Sequence, residues 1–125
     1  MKTVLTGGKF NKIHPGHVWL LKKARAMGDR LVVVIANDAH NKRPYAVPAK
    51  QRKKNMEKLK IADQAVVGDP QDYFKVVKRF KPSVIVLGYD QELPPGVKEK
   101  LGKKIQVVKC KKYRNYSSKK LASKK

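Results

Sequence analysis

The chain alternates short apolar runs with longer amphipathic stretches. Residues 3–6 form a compact run closed by Gly7-Gly8, which predicts a first strand. Over residues 15–27 the period changes. Leu20, Leu21, Ala24 and Met27 share one helical face, while Lys22, Lys23 and Arg25 fall elsewhere. Pro15 suits the first helical position, where its missing N–H costs nothing, and Gly28 suits the stop. Residues 31–35 are a continuous branched apolar run, the pattern of a strand covered on both faces. Residues 37–47 are polar, carry Pro44 and read as a loop; residues 48–60 read as a basic helix closed on its apolar side by Met56 and Leu59. Residues 64–67 predict a third strand. Asp69-Pro70 reads as the cap and first position of a further helix, with Phe74, Val77 and Phe80 as its buried face and Pro82 barring its continuation. Residues 84–87 predict a fourth strand, 91–96 a loop, 98–101 a helical turn or two, and 105–108 a fifth strand. The remainder, 109–125, is polar and basic, with a short helix expected after Tyr116.

Strands alternating with helices predict an α/β fold: a Rossmann-like three-layer sandwich around a five-stranded parallel sheet. The pattern predicts one domain across residues 1–125, with 110–125 as a basic C-terminal segment. In such folds ligands sit beyond the carboxyl ends of the strands, where the strand order reverses. The segments to inspect are therefore 7–17, 37–42, 68–70, 88–91 and 109–118.

Composition narrows the class. The chain has 125 residues and 41% hydrophobic content, enough for one packed core. No apolar run approaches the roughly 18 residues of a membrane span. The chain enters a strand at once, so no signal peptide and a cytoplasmic location are expected. Cys110 is the one cysteine, which excludes an internal disulfide and reads as a small semi-apolar residue beside a strand. The formal net charge is +22. Residues 98–125 hold twelve Lys/Arg against one acid, so the last quarter carries half the excess. Such a field attracts nucleotides, RNA and acidic lipid heads alike and does not choose among them.

The richest chemistry lies in the first of those segments. Gly7-Gly8 lets backbone approach a ligand closely. His14-Pro15-Gly16-His17 follows, at the mouth of the first long helix. A helix N-terminus offers unpaired N–H groups and a partial positive charge, which together bind phosphate. His14 and His17 stand three apart, on one side of that turn, and two imidazoles there can donate to phosphate oxygens. The spacing alone leaves other roles open: a helix cap, a surface residue or a metal pair. No Asp, Glu or Cys lies close enough in sequence to complete a zinc site.

Gly8-Lys9-Phe10-Asn11-Lys12-Ile13-His14-Pro15-Gly16-His17 resembles the signature of the cytidylyltransferase-like, HxGH nucleotidyltransferases. The likeness continues at Gln51-Arg52, at Ala62-Asp63-Gln64-Ala65-Val66-Val67-Gly68 and at Leu87-Gly88-Tyr89-Asp90-Gln91. Tyr113 and Tyr116-Ser117-Ser118-Lys119 resemble the family's C-terminal serine-containing motif. The overall pattern looks most like archaeal FAD synthetases, with glycerol-3-phosphate cytidylyltransferases as near relatives. The resemblance implies a protein, often dimeric, that uses a nucleoside triphosphate with a divalent ion such as Mg²⁺. It implies that His14 and His17 contact the triphosphate and stabilise the transition state. Gly8, the backbone around Lys9 and Phe10, and Pro15-Gly16 would hold nucleotide or phosphate; Asp90 and Tyr113 would add nucleotide contacts, and Ser117-Ser118 would sit near the phosphates. Two positions depart from the family, which usually has Thr and Asp where this chain has Lys9 and Asn11.

The expected reaction is attack by a phosphate monoester such as FMN on the α-phosphorus of ATP, with pyrophosphate leaving. Lys9, Arg52 and Arg114 are candidate anion contacts, and Asn11, Asp38 and Tyr89 candidate substrate contacts; Tyr89 could stack on a flavin or adenine ring. No protein residue is singled out as a metal ligand, and Asp63 reads as a turn or salt-bridge residue. Two further readings stay open. One is CTP with glycerol phosphate or a similar alcohol. The other is a catalytically divergent member that binds RNA weakly and without sequence preference through its basic surface.

Overall fold

The computed structural model describes residues 2–42, 44, 46–72, 74–89, 91–93, 96–102 and 104–110. Five parallel strands, β1 (Thr3–Gly8), β2 (Arg30–Ile35), β3 (Gln64–Val67), β4 (Val84–Leu87) and β5 (Gln106–Lys109), form one sheet in the order β3-β2-β1-β4-β5. Four α-helices, α1 (Pro15–Arg25), α2 (Ala49–Lys58), α3 (Phe74–Phe80) and α4 (Val97–Leu101), and one 3₁₀ turn complete the described elements. The chain moves outward from β1 to β3, then returns to the other side of β1 for β4 and β5. The order therefore reverses between β1 and β4.

The strand period of two sorts the core into two layers. Val4, Leu31, Val33, Ile35, Ala65, Val84 and Val86 face one way and pack with Leu20, Leu21 and Ala24 of α1 and Ala49 and Met56 of α2. Leu5, Val32, Val66 and Ile85 face the other way, against Val77 and Phe80 of α3 and Val97 and Leu101 of α4. This is the three-layer α/β sandwich that the alternation of runs predicts. Each fully buried Leu or Val stabilises it by about 1.5–3 kcal/mol before conformational entropy is counted.

Several boundaries differ from the sequence reading, each for a local reason. β1 runs on through Gly7-Gly8, because both glycines stay in register with Val34 and Ile35 of β2. α1 stops at Arg25 rather than at residue 27. Gly28 is needed for close approach: a Cβ there would lie 2.7 Å from the Lys2 carbonyl oxygen. The loop over 37–47 contains a 3₁₀ turn, Asp38–His40, capped by the Asn37 side chain. α2 is shorter than 48–60, ending at Lys58. Asp69-Pro70 does not open α3. The Asp69 carboxylate instead accepts from the Gln71 and Asp72 N–H groups in a turn, and the Asp72 side chain accepts from Phe74 at the true start. α4 begins and β5 shifts by a single residue relative to expectation at Val97 and Gln106 respectively, with Val97 rather than Lys98 opening the helix. The short helix expected after Tyr116 lies outside the described residues.

Candidate functional site

His14 is the N-cap of α1. Its Nδ1 accepts from the Gly16 N–H at 3.0 Å, and the Nδ1 of His17 accepts from the His14 N–H at 3.2 Å. The two imidazoles thus build a reciprocal capping box, a role usually taken by Ser/Thr with Glu/Gln. The remaining first-turn donors also turn inward: the N–H groups of His17 and Val18 reach the His14 carbonyl at 2.9 and 3.2 Å. The sequence expectation of bare N–H groups waiting for phosphate is therefore corrected. The first turn satisfies its own donors and keeps only the positive end of its dipole.

This cap fixes the chemistry of both rings. A nitrogen that accepts a hydrogen bond carries no proton, so each neutral ring holds its proton on Nε2. The rings stack with centroids 3.8 Å apart and 23° between planes, and Phe10 meets His17 edge-on at 5.3 Å. Burial pushes the His14 pKa below the ordinary histidine value of 6.5. The accepted bond acts in the same direction, because protonating Nδ1 would set donor against donor. The result is a stacked pair of imidazoles whose remaining ring donors are Nε2–H groups, seated at the positive end of a helix.

The loop before the histidines is tightly held. Phe10 is buried in the left-handed region at φ +52°, and its ring covers Gly8, where a Cβ would lie 3.0 Å from the ring edge. Asn11 and Asn41 exchange two amide hydrogen bonds at 2.8 and 2.7 Å, and Asn11 Oδ1 also accepts from the Val47 N–H at 2.9 Å. The neutral amide that departs from the family pattern is thus used in full: a carboxylate could not donate to Asn41. Lys9 exposes its side chain and gives its carbonyl to Arg52 at 2.8 Å.

Arg52 is a correction to the sequence reading. An anion contact needs an accessible guanidinium, and this one is 0% exposed. It donates to the carbonyls of Val47 and Lys9 and to the Asp38 carboxylate, at 2.6, 2.8 and 2.9 Å. Asp38 Oδ1 is occupied as well, accepting from the Ala49 N–H at 2.8 Å and so capping α2. Asp63 holds the Leu31 N–H and pairs with Arg25 at 3.0 Å, a turn and salt-bridge role. Burial pushes the Cys110 thiol up, against a smaller downward pull from Lys23, in keeping with a small packing residue.

At the strand reversal the structure gives a role to Gln91, which the sequence reading quoted only as part of the resembling segment 87–91. Gln91 accepts from the Gly88 N–H at 2.7 Å and donates to the Gly7 carbonyl at 2.9 Å, tying the end of β4 to the end of β1. The Gly88-to-Gln91 spacing, a glycine followed three residues on by an amide, is the signal that could have found it. Tyr89 stands in the same turn and is 37% exposed. Gly8, Lys9, Phe10, Asn11, His14, Pro15, Gly16, His17 and Tyr89 are thus gathered around the reversal. Asp90, Tyr113, Arg114, Ser117 and Ser118 lie outside the described residues.

A parallel sheet that reverses order beside a histidine-capped helix is the architecture of a nucleotidyltransferase-type fold. The chain belongs to the cytidylyltransferase-like family, whose model matches residues 5–123. It is 47% identical over 94 residues to a FAD synthase of Ferroglobus placidus, covering 73% of this chain and 61% of that protein. A FAD synthase of Aciduliprofundum boonei is 42% identical over 120 residues, 90% of this chain and 80% of its own length. The chain thus spans about three-fifths of the first relative and four-fifths of the second. Among solved structures, a lipopolysaccharide core biosynthesis protein from Thermoplasma volcanium superposes with a TM-score of 0.81 at 34% identity, covering 90% of this chain and 98% of that one. A pantoate-beta-alanine ligase from Francisella tularensis shares the fold at a TM-score of 0.65 and 16% identity, over 97% of this chain and 65% of that one.

Proposed function

We propose that the chain is an FMN adenylyltransferase. A phosphate oxygen of FMN attacks the α-phosphorus of ATP, a new P–O–P bond forms, the α–β bridging P–O bond breaks, and pyrophosphate leaves with its electron pair. The observation that carries this reading is the reciprocal histidine cap at the strand reversal, in a chain similar to archaeal FAD synthases over most of its length.

The physical case begins with the nucleophile. A phosphate monoester has its second pKa near ~6, so it is largely ionised at neutral pH and needs no general base. Catalysis is then alignment and charge stabilisation. Neutral Nε2–H donors serve this well: they gain most where negative charge grows, on the α-phosphate oxygens. Gly8 and the backbone of Lys9 and Phe10 would border the nucleotide, and the exposed Lys9 side chain would meet phosphate. Tyr89 supplies an aromatic face for a flavin or adenine ring.

Among the described residues no group of three or more His, Cys, Asp or Glu lies together. Both cap Nδ1 lone pairs are committed to backbone N–H groups. The described donor set therefore does not fit a resident metal site. Mg²⁺ keeps most of its water and commonly rides on nucleotide phosphates, so it enters this reading as part of the substrate, MgATP. No helix among the described residues is long and apolar enough to cross a membrane.

Pyrophosphate release by the purified protein tests the reading, with ATP or CTP paired against FMN or glycerol-3-phosphate. Turnover with ATP and FMN, lost in His17→Ala, is the expected result. Turnover with CTP alone would move the chain to cytidylyl transfer. Silence with all four pairings, alongside salt-sensitive binding to unrelated RNA, would replace the enzyme reading with a nucleic-acid-binding one.

A further inference from the structure

Among the described residues Arg52 is the sole buried Lys or Arg in a chain with 31 of them. Burying a guanidinium is costly, and an apolar side chain of similar volume often stabilises a fold as well or better. Its partners therefore matter more than its presence. Two of the three are backbone carbonyls in loops, Lys9 and Val47, at 2.8 and 2.6 Å. The Lys9 carbonyl belongs to the peptide that leads into Phe10, whose left-handed φ of +52° an unconstrained phenylalanine avoids. The Phe10 and His17 rings in turn meet edge to face, with centroids 5.3 Å apart. Val47 is gripped from both sides, its carbonyl by Arg52 and its N–H by Asn11.

We propose that Arg52 is a positioning residue for the histidine pair: it holds the Lys9 carbonyl, which keeps Phe10 left-handed and its ring against His17. The proposal rests on the nucleotidyltransfer reading only for its kinetic consequence; the geometric consequence stands apart from activity. Lysine keeps the charge but offers a single point of donation, so it cannot span the Lys9 and Val47 carbonyls and Asp38 together.

The test uses the full chain and three proteins: wild type, Arg52→Lys, and Met56→Val as a control. Met56 lies one turn further along α2 and is fully buried; its substitution loosens the same helix, and its thioether offers no donor to the Lys9 carbonyl. All are assayed well below their melting temperatures. Arg52→Lys is expected to lower kcat by about 10–100-fold with KM for ATP changed less than about threefold, since misplacement at a distance acts on alignment. Its His17 ring resonances should move. Met56→Val should lose thermal stability yet keep kcat and the His17 resonances. Wild-type kcat and unmoved His17 resonances in folded Arg52→Lys would overturn the proposal. Should wild type itself turn over no pairing, the function reading fails and the resonances alone decide the clamp. Should Arg52→Lys not fold, the wild-type Arg52 guanidinium decides it. Separate, slowly exchanging Nη proton signals are expected from a clamped fork, and a single averaged signal would overturn the clamp.

Discussion

The two long helices of the first sheet face begin in opposite ways. α1 is capped from within by two imidazoles three residues apart. α2 begins after Pro48, which supplies no side-chain cap; its first N–H goes to Asp38, eleven residues upstream, and that carboxylate is locked to buried Arg52. A fixed carboxylate already answers the positive end of α2. Among the described residues the first turn of α1 is met by ring nitrogens and not by a carboxylate. Both helices solve the same problem of orphaned N–H groups, one with imidazoles from its own first turn and the other with a carboxylate from a distant loop.

Removing the imidazoles should have the largest effect. His17→Ala is expected to lower kcat by about 10²–10³-fold, the usual cost of one transition-state donor. His14→Asn separates the two duties of a cap: Asn restores the acceptor for Gly16 but cannot place a ring N–H on phosphate. It should lose activity while keeping its melting temperature, whereas His14→Ala should also lose about 1 kcal/mol of stability. Comparable losses of stability in both variants would show that the cap is not the one described.

At α2 the same operation should leave chemistry and take stability. Asp38→Ala removes a cap and a charged hydrogen bond, an expected loss of about 1–3 kcal/mol in urea unfolding. Asp38→Asn, which retains the acceptor for Ala49, should lose less. A stable Asp38→Ala with collapsed kcat would reverse the contrast between the two helix ends.

Acidity offers a finer handle. The folded-state pKa of His14 lies below 6.5, so on acidification the unfolded chain takes up the proton first. The contribution of His14 is complete above the ordinary histidine value and shrinks as pH falls through that value toward the folded pKa. His14→Asn should flatten this part of the stability profile, and an unchanged slope would place the sensitive group elsewhere. Smallest of all should be salt: the +22 surface predicts a KM for ATP that rises with ionic strength, read from initial rates.

The helix that could be read from sequence is the one whose cap is local. Pro15, Gly16 and the face of Leu20, Leu21 and Ala24 announce α1, and the strands announce themselves through unbroken apolar runs. The second helix end could not be read, because Asp38, Arg52 and Lys9 meet only after β1 and β2 have paired. Arg52 reads from sequence as an anion contact on a basic helix; its burial depends on contacts 43 and 14 residues away. Asn11 looked like a lost charge until Asn41 and Val47 were placed beside it. Asp69-Pro70 misled for the opposite reason: its cap signal is real, but it closes a turn ahead of the helix.

The α1 cap commits the Nδ1 of both histidines as an acceptor, which leaves Nε2 to carry the ring proton. Long-range ¹H–¹⁵N spectra of labelled protein at pH 7, recorded with and without a non-hydrolysable ATP analogue, read each ring directly. The account predicts an unprotonated Nδ1 and a protonated Nε2 on His14 and His17, with the Nε2 signals shifting when the nucleotide binds. A proton on Nδ1 of either ring, or Nε2 signals indifferent to nucleotide, would contradict it.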